Sequence, residues 1–543
     1  MNLTPSYNIS LDDTNGYDIR SSELRNASAY ITQMCYTKTT DDLNNSYNPC
    51  YTCHTQAVTP NYVLGNDELQ EVYDFPEPAL INPFSNNFLD FSQRVSQISD
   101  EEIIAYVDES NYFTLDGEII LKDKLSNLPE LWDEDENKQW SGYIPDCYYN
   151  FNEYGFDSDK NGKPTGWVAY AYMPFLGTFF PTNGSTDDVL IRLDSPFYKI
   201  TEDGDFNSTI YTINLSIIES LIKQKDINIS SIDENSIGVD LNKNGYLDRA
   251  ISVVYEWAPN SGKFMSYVGY AKTLQESGSL HLAAGLFPEN TEFLHSVRYI
   301  KSDENHEIAL APRMKELRYA KKTTWLTYAD LLNKGMAAIQ NKDLNPDAIE
   351  NFRGTMEQGL GNNMGWVYQG FIEDKNGALR PQSYEETLNC MGCHSGIGVL
   401  TDSTFSFKRK IESEFQHGWY HPTQKSLKNI PENRLTSGEW ELSKYLELNP
   451  NSDEFRENSE VYQKFHTLSG DLNQTMLEKL HSDVTLLLYP SHERALSLNK
   501  GYKALVELQQ FYNGKAGHIA PMHHVYKELD AKKSTQLKRI NND

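Results

Sequence analysis

Two short stretches bring reactive residue types together at a fixed spacing: Cys50-Tyr-Thr-Cys53-His54 and Cys390-Met-Gly-Cys393-His394. Two thiols three residues apart can add to the two vinyl groups of one porphyrin. The adjoining imidazole is then placed to ligate the iron. With 6 cysteines and 13 histidines in 543 residues, random order would produce roughly 0.002 such pentapeptides. Two copies are therefore not accidental. Other uses of a C-x-x-C pair fit less well. A structural zinc would usually hold two such pairs at close quarters, and these lie 340 residues apart (50 to 390). A redox dithiol belongs at a helix start within a βαβ unit, and no such unit surrounds either copy. The expectation is two covalent haems of the c type, one on Cys50, Cys53 and His54 and one on Cys390, Cys393 and His394.

The two motifs resemble those of diheme c-type cytochromes. That resemblance implies haem attachment outside the cytoplasm, in the periplasm or at the cell surface. The Met1-Asn2-Leu3-Thr4 start has no charged region followed by an apolar one, so a leader is read as already removed. The function implied is electron transfer between envelope partners. A weaker resemblance to the bacterial diheme cytochrome c peroxidases implies the alternative, an oxidoreductase in which one haem relays electrons and the other reacts with peroxide or oxygen.

Further ligands and bonds follow from the remaining residues. His281 and His295 are candidates for the distal side of the first haem, and His417 and His421 for the second. Two loops set oxygen ligands at alternate positions before a glycine, as Ca²⁺ requires. They are Asp157-x-Asp159-x-Asn161 and Asp240-x-Asn242-x-Asn244 with Asp248 beyond it, both lacking a glutamate at the twelfth position. Cys35 and Cys147 are left over as an even pair. In an oxidising compartment they are expected to form one disulfide.

The elements that must position these groups fall into three stretches with an α+β composition. Residues 1–135 are loop-rich and carry the first motif, with a helix capped at Ser99-x-x-Glu102. Residues 136–312 form a β-rich domain: Trp167–Tyr172, Val189–Leu193, Ile210–Leu215 and Ile251–Tyr255 read as strands between Asn-Gly turns. Phe293–Ile300 alternates and is expected to pair with the stretch after Glu307. Residues 313–543 are mainly helical around the second motif, as a cytochrome c-like domain would be. Trp325, Tyr328, Leu332, Met336 and Ile339 mark one amphipathic helix, and the stripe Ala495, Leu498, Tyr502, Leu505, Leu508 marks another. Thr436-Ser-Gly-Glu439 reads as the capping box of a third.

The formal charge of −29 excludes nucleic acid as a natural partner, because phosphates would be repelled. It favours a basic redox protein instead. No apolar run reaches the ~18 residues of a membrane span.

Overall fold

The alternating stretch Phe293–Ile300 does pair with the chain after Glu307. Glu292 stands opposite Lys321, and the register runs to Ser302 opposite Ile308. This long antiparallel hairpin is the centre of the molecule. The computed structural model describes residues 24–40, 47, 49–52, 60, 72–174, 185–396, 401–412, 418–435, 437–449 and 458–537.

The strands are β1 Phe156–Ser158, β2 Pro164–Ala169, β3 Thr186–Asp187, β4 Leu190–Arg192, β5 Ile227–Asp233, β6 Arg249–Val253, β7 Glu292–Ser302, β8 Ile308–Lys322, β9 Gly354–Thr355, β10 Gly359–Gly361, β11 Trp366–Glu373 and β12 Leu379–Pro381. Ten of them make one antiparallel sheet in the order β1-β2-β4-β7-β8-β11-β10-β9, with β3 on β7 and β12 on β11. β5 and β6 form a separate pair. The helices are α1 Ser92–Val95, α2 Asp100–Asp108, α3 Ile120–Ser126, α4 Ser208–Lys223, α5 Tyr270–Glu276, α6 Tyr328–Leu344, α7 Tyr384–His394, α8 Glu441–Leu448, α9 Ser459–Phe465, α10 Gln474–Leu480, α11 Thr485–Leu488 and α12 His492–Leu508. The fold class is α+β.

Two expectations need correction. Ile210–Leu215 is not a strand but the front of α4. Its β-branched composition imitates a strand. However, the Asn207 side chain accepts the Ile210 N–H at 2.9 Å and starts a helix that Gln224 closes in the left-handed conformation. Isoleucines and leucines all round α4 are the mark of a helix buried on every side, and this one packs in the largest core cluster. The second correction concerns the C-terminal stretch. It is not a self-contained cytochrome c-like helical domain, because β8 runs through residue 312 and β9–β12 complete the sheet begun in the middle of the chain. The helix expected after Thr436 starts at Glu441; Thr436 itself lies outside the described residues.

β8 is rich in charge and yet inside. Arg313, Lys315, Glu316 and Lys322 are all buried, which is tolerable only because each finds a partner. Arg313 pairs with Glu373 at 3.0 Å and Lys322 with Asp402 at 2.5 Å. The described N-terminal residues close against the C-terminal tail. Bridges join Thr37 to Val525, Val72 to Ser534 and Ile81 to Glu528, over a small core of Tyr36, Phe84, Met522 and Val525.

Candidate functional site

The second motif ends α7, and the sequence around it fixes where that helix begins. The Ser383 hydroxyl accepts the Glu386 N–H at 3.2 Å, and the Glu386 carboxylate accepts the Ser383 N–H at 2.9 Å. Arg380 of β12 grips the same carboxylate with two hydrogen bonds, 2.8 and 2.9 Å long. Both ends of this pair are buried. With its start anchored, α7 presents Cys390 and Cys393 one turn apart and places His394 at its last position.

Gly392 explains itself by contact. A methyl group there would meet the Tyr30 carbonyl oxygen at 2.5 Å and Thr32 Cγ2 at 2.4 Å. The segment before the first motif therefore rests directly on the second. Cys35 lies close enough to Cys393 for its charge to matter. Burial, helped by Cys35, pushes the Cys393 thiol up to about 12. Burial also raises Cys390. Neither is a thiolate at neutral pH.

His394 is held in one orientation. Its ring stacks on Tyr368, with centroids 4.8 Å apart. Its Nδ1 lies 3.1 Å from the Ser403 carbonyl oxygen, which also accepts the Tyr368 hydroxyl at 2.9 Å. A carbonyl can only accept, so Nδ1 carries the proton and Nε2 keeps its lone pair. Burial lowers the imidazole to about 4, so it is neutral. The turn that supplies Ser403 is itself pinned: Asp402 accepts the Phe287 N–H at 2.8 Å and pairs with buried Lys322.

Cys390, Cys393 and His394 open onto a cleft of about 250 Å³ walled by Val189, Phe293 and Tyr368. Arg318 and Lys515 also line it. Glu316 bonds both, at 2.9 and 3.2 Å, so the cluster has two cations against one carboxylate. The cleft thus has apolar walls, two thiols and an oriented imidazole, with surplus positive charge at its lining. Those features fit a flat, largely apolar group with acidic substituents, such as a haem.

The other sequence candidates are scattered. His295 lines this same cleft from β7, beside the second motif. Its Nδ1 contacts the Asp188 carbonyl oxygen, and its Nε2 stands 3.8 Å from Asp187. His421 does not line the cleft. It is fully buried, donating from Nε2 to Asp188 at 2.8 Å and accepting the Thr423 N–H on Nδ1 at 3.2 Å. Burial keeps His421 neutral, while His421 holds the buried Asp188 carboxylate low against the effect of burial. His281 is exposed and stacks on Trp325. Cys50 sits in a single 3-10 turn, Pro49–Thr52. Cys53, His54 and His417 lie outside the described residues.

In the first oxygen-rich loop, buried Asp157 accepts the Tyr148 and Asn150 N–H groups and the Thr165 hydroxyl. Asp159 accepts the N–H groups of Asn161 and Lys163. In the second, Asp240 accepts from Asn244 and Gly245, and Asp248 accepts the side-chain amides of Asn242 and Asn244. Among the described residues no group of three or more His, Cys, Asp or Glu is placed to hold a metal ion.

The expected disulfide is absent. Cys35 and Cys147 are both free thiols. Cys147 is buried with Tyr112, Trp167 and Leu294, while Cys35 lies 3.3 Å from the Thr32 hydroxyl at the other motif. Both behave as small hydrophobes, which an even count in sequence does not distinguish from a bridge.

Known proteins bear on the identity of the chain. A family model described as "-like lipoprotein" matches residues 105–477. A protein named "Uncharacterized lipoprotein" from Aquifex aeolicus (strain VF5) is 30% identical over 582 residues, covering 96% of this chain and 92% of its own. The chain belongs to this lipoprotein family. No solved structure matches this lipoprotein significantly. The membership overturns the diheme c-type cytochrome expectation, together with electron transfer and the peroxidase-like alternative, since both descriptions are of a lipoprotein and neither names a cytochrome. The physical reason is one of scale: ten motif residues describe a local attachment chemistry, and the remainder of the chain builds a different protein around them. No helix among the described residues is long and apolar enough to cross a membrane. With the family, this fits a cell-envelope or surface-associated location.

Sequence reasoning missed Arg318, Lys515, Tyr368 and Ser403. One signal was available for Arg318: a fifteen-residue strand carrying this many charges must bury some of them in a purpose-built polar site.

Proposed function

We propose that this lipoprotein is a cofactor-binding protein of the cell envelope, carrying a covalently attached haem in the α7 cleft. Cys390 and Cys393 would be the attachment thiols, and His394 would ligate the iron through Nε2. The observation that supports this reading is the locked tautomer of His394: the Ser403 carbonyl takes the Nδ1 proton, which leaves Nε2 as the donor atom. Arg318 and Lys515 offer positive charge for acidic substituents, and Val189 and Phe293 would give the group apolar walls. His295 adds a second imidazole to the cleft from β7. When bound, the haem would supply an iron able to take up ligands or electrons.

Intact and peptide mass spectrometry test the reading on protein made in cells that attach haem to C-x-x-C-H. The peptide containing Cys390 and Cys393 is expected to carry one haem, and both thiols to resist alkylation after denaturation. His394→Ala is expected to keep the adduct and change its absorption spectrum. Two freely alkylated thiols on an unmodified peptide would overturn the proposal.

A further inference from the structure

The amphipathic helix marked by Tyr328, Leu332, Met336 and Ile339 exists as α6, but its apolar stripe is not in the core. Tyr328 is 37% exposed, Leu332 49%, Met336 53% and Ile339 42%. α6 is held instead by a neighbouring strip of its surface, where Leu331 and Gly335 are buried and Leu331 packs with Ala283, Leu286 and Met364. The helix is well formed in its own right. Thr327 and Asp330 make a reciprocal capping box at its start, so the stripe is a rigid, regular row of side chains. Leu115 and Leu468 are exposed singly and need no explanation. Four on one face of one helix do need one. Aromatic rings continue the patch: Trp325 precedes the helix at the edge of the same small cluster as Trp257, and Phe264, 52% exposed, packs edge-on to Trp257.

We propose that this face of α6 lies on a lipid bilayer, at the depth of the headgroups. The family supplies the occupant. A lipoprotein works beside a membrane, and a surface helix with apolar residues on one side and polar residues on the other, rimmed by Trp and Tyr, suits that interface. The charge of −29 sets the lipid preference: net neutral phosphatidylcholine is favoured over anionic phosphatidylglycerol. This proposal is independent of what the α7 cleft binds.

The test is co-sedimentation of the full 543-residue chain, without an acyl group, with phosphatidylcholine vesicles. Wild type is expected to bind, and more weakly when phosphatidylglycerol is mixed in. Leu332→Gln/Met336→Gln/Ile339→Gln is expected to lower the partition coefficient about tenfold or more, while Leu115→Gln/Leu468→Gln leaves it unchanged. Hydrogen exchange on wild type needs no variant: residues 328–344 should exchange more slowly on vesicles. The proposal is overturned if wild type does not bind, if the triple variant binds equally, or if exchange over 328–344 is unaffected. Concentration-dependent dimerisation lost in the triple variant would also overturn it, by assigning the face to a second copy of the chain.

Discussion

Replacing Lys322 by methionine tests the idea that a buried ion pair holds His394 in place from a distance. Lys322 and Asp402 are each 1% exposed at the side chain and meet at 2.5 Å. Methionine keeps the length of the side chain and removes its charge. Asp402 then has a backbone donor, the Phe287 N–H, but no counter-charge. Breaking a buried pair on one side usually costs about 3–5 kcal/mol. The Phe287 hydrogen bond offsets part of that, so about 3 kcal/mol is expected. Lys322→Met/Asp402→Leu, which leaves no buried charge, should recover most of the loss. The pH dependence has a definite sign. Burial raises the folded-state value of Asp402 above its unfolded value of about 3.9 even beside Lys322, and losing that cation raises it further. The penalty is then fully present at neutral pH and shrinks as the pH falls toward 4 and Asp402 takes up a proton. Urea unfolding of the four members of the cycle at pH 7 and pH 4.5 measures all of this. A single-variant loss below about 1 kcal/mol, or a double variant as unstable as the sum of the singles, would refute the argument.

Two further outcomes follow from contacts already described. Gly392→Ala gains about 1 kcal/mol of helix propensity, yet its methyl group would press on the immovable Tyr30 carbonyl oxygen, so a net loss and faster proteolysis around residues 24–40 are expected; equal or greater stability with an unchanged cleavage pattern would sink that expectation. Glu316 is buried, which pushes its carboxyl up, but Arg318 and Lys515 together outweigh burial and hold it well below the usual range. Its stabilising contribution is therefore present above an unfolded value of about 4.3 and lost as the pH falls below it. Glu316→Gln should flatten the acid limb of the stability curve, and an acid limb that is unchanged in the variant would show that other carboxylates govern it.

Local rules in the sequence predicted local structure well where backbone chemistry decides it. Ser99 caps α2 as its spacing with Glu102 suggests, accepting the Glu102 N–H at 3.1 Å. The alternation of β7 announced its pairing with β8. Where tertiary context decides, composition misled: α4 is as rich in isoleucine as a strand, and only Asn207 and the length of the run mark it as a helix. The site shows the same division. Cys390, Cys393 and His394 were legible because their covalent chemistry requires that spacing. Ser403, which fixes the ring of His394, was not, because a backbone carbonyl leaves no trace in residue type. Lys322 and Asp402, which fix Ser403, are 80 residues apart in sequence and meet only once the sheet has formed.

The period of α6 carries the same lesson in a sharper form. A repeat of apolar residues near 3.6 states that one side of a helix prefers a medium other than water. It does not say what that medium is. For α12 the medium is the protein: Ala495, Leu498, Tyr502 and Leu505 of its stripe are buried. For α6 the equivalent stripe is left outside, because Leu331 and Gly335 dock a different strip of the helix on the core. Rotating α6 to bury the stripe would give up the packing of Leu331 against Ala283, Leu286 and Met364. The exposed face is therefore part of how α6 is attached to the core.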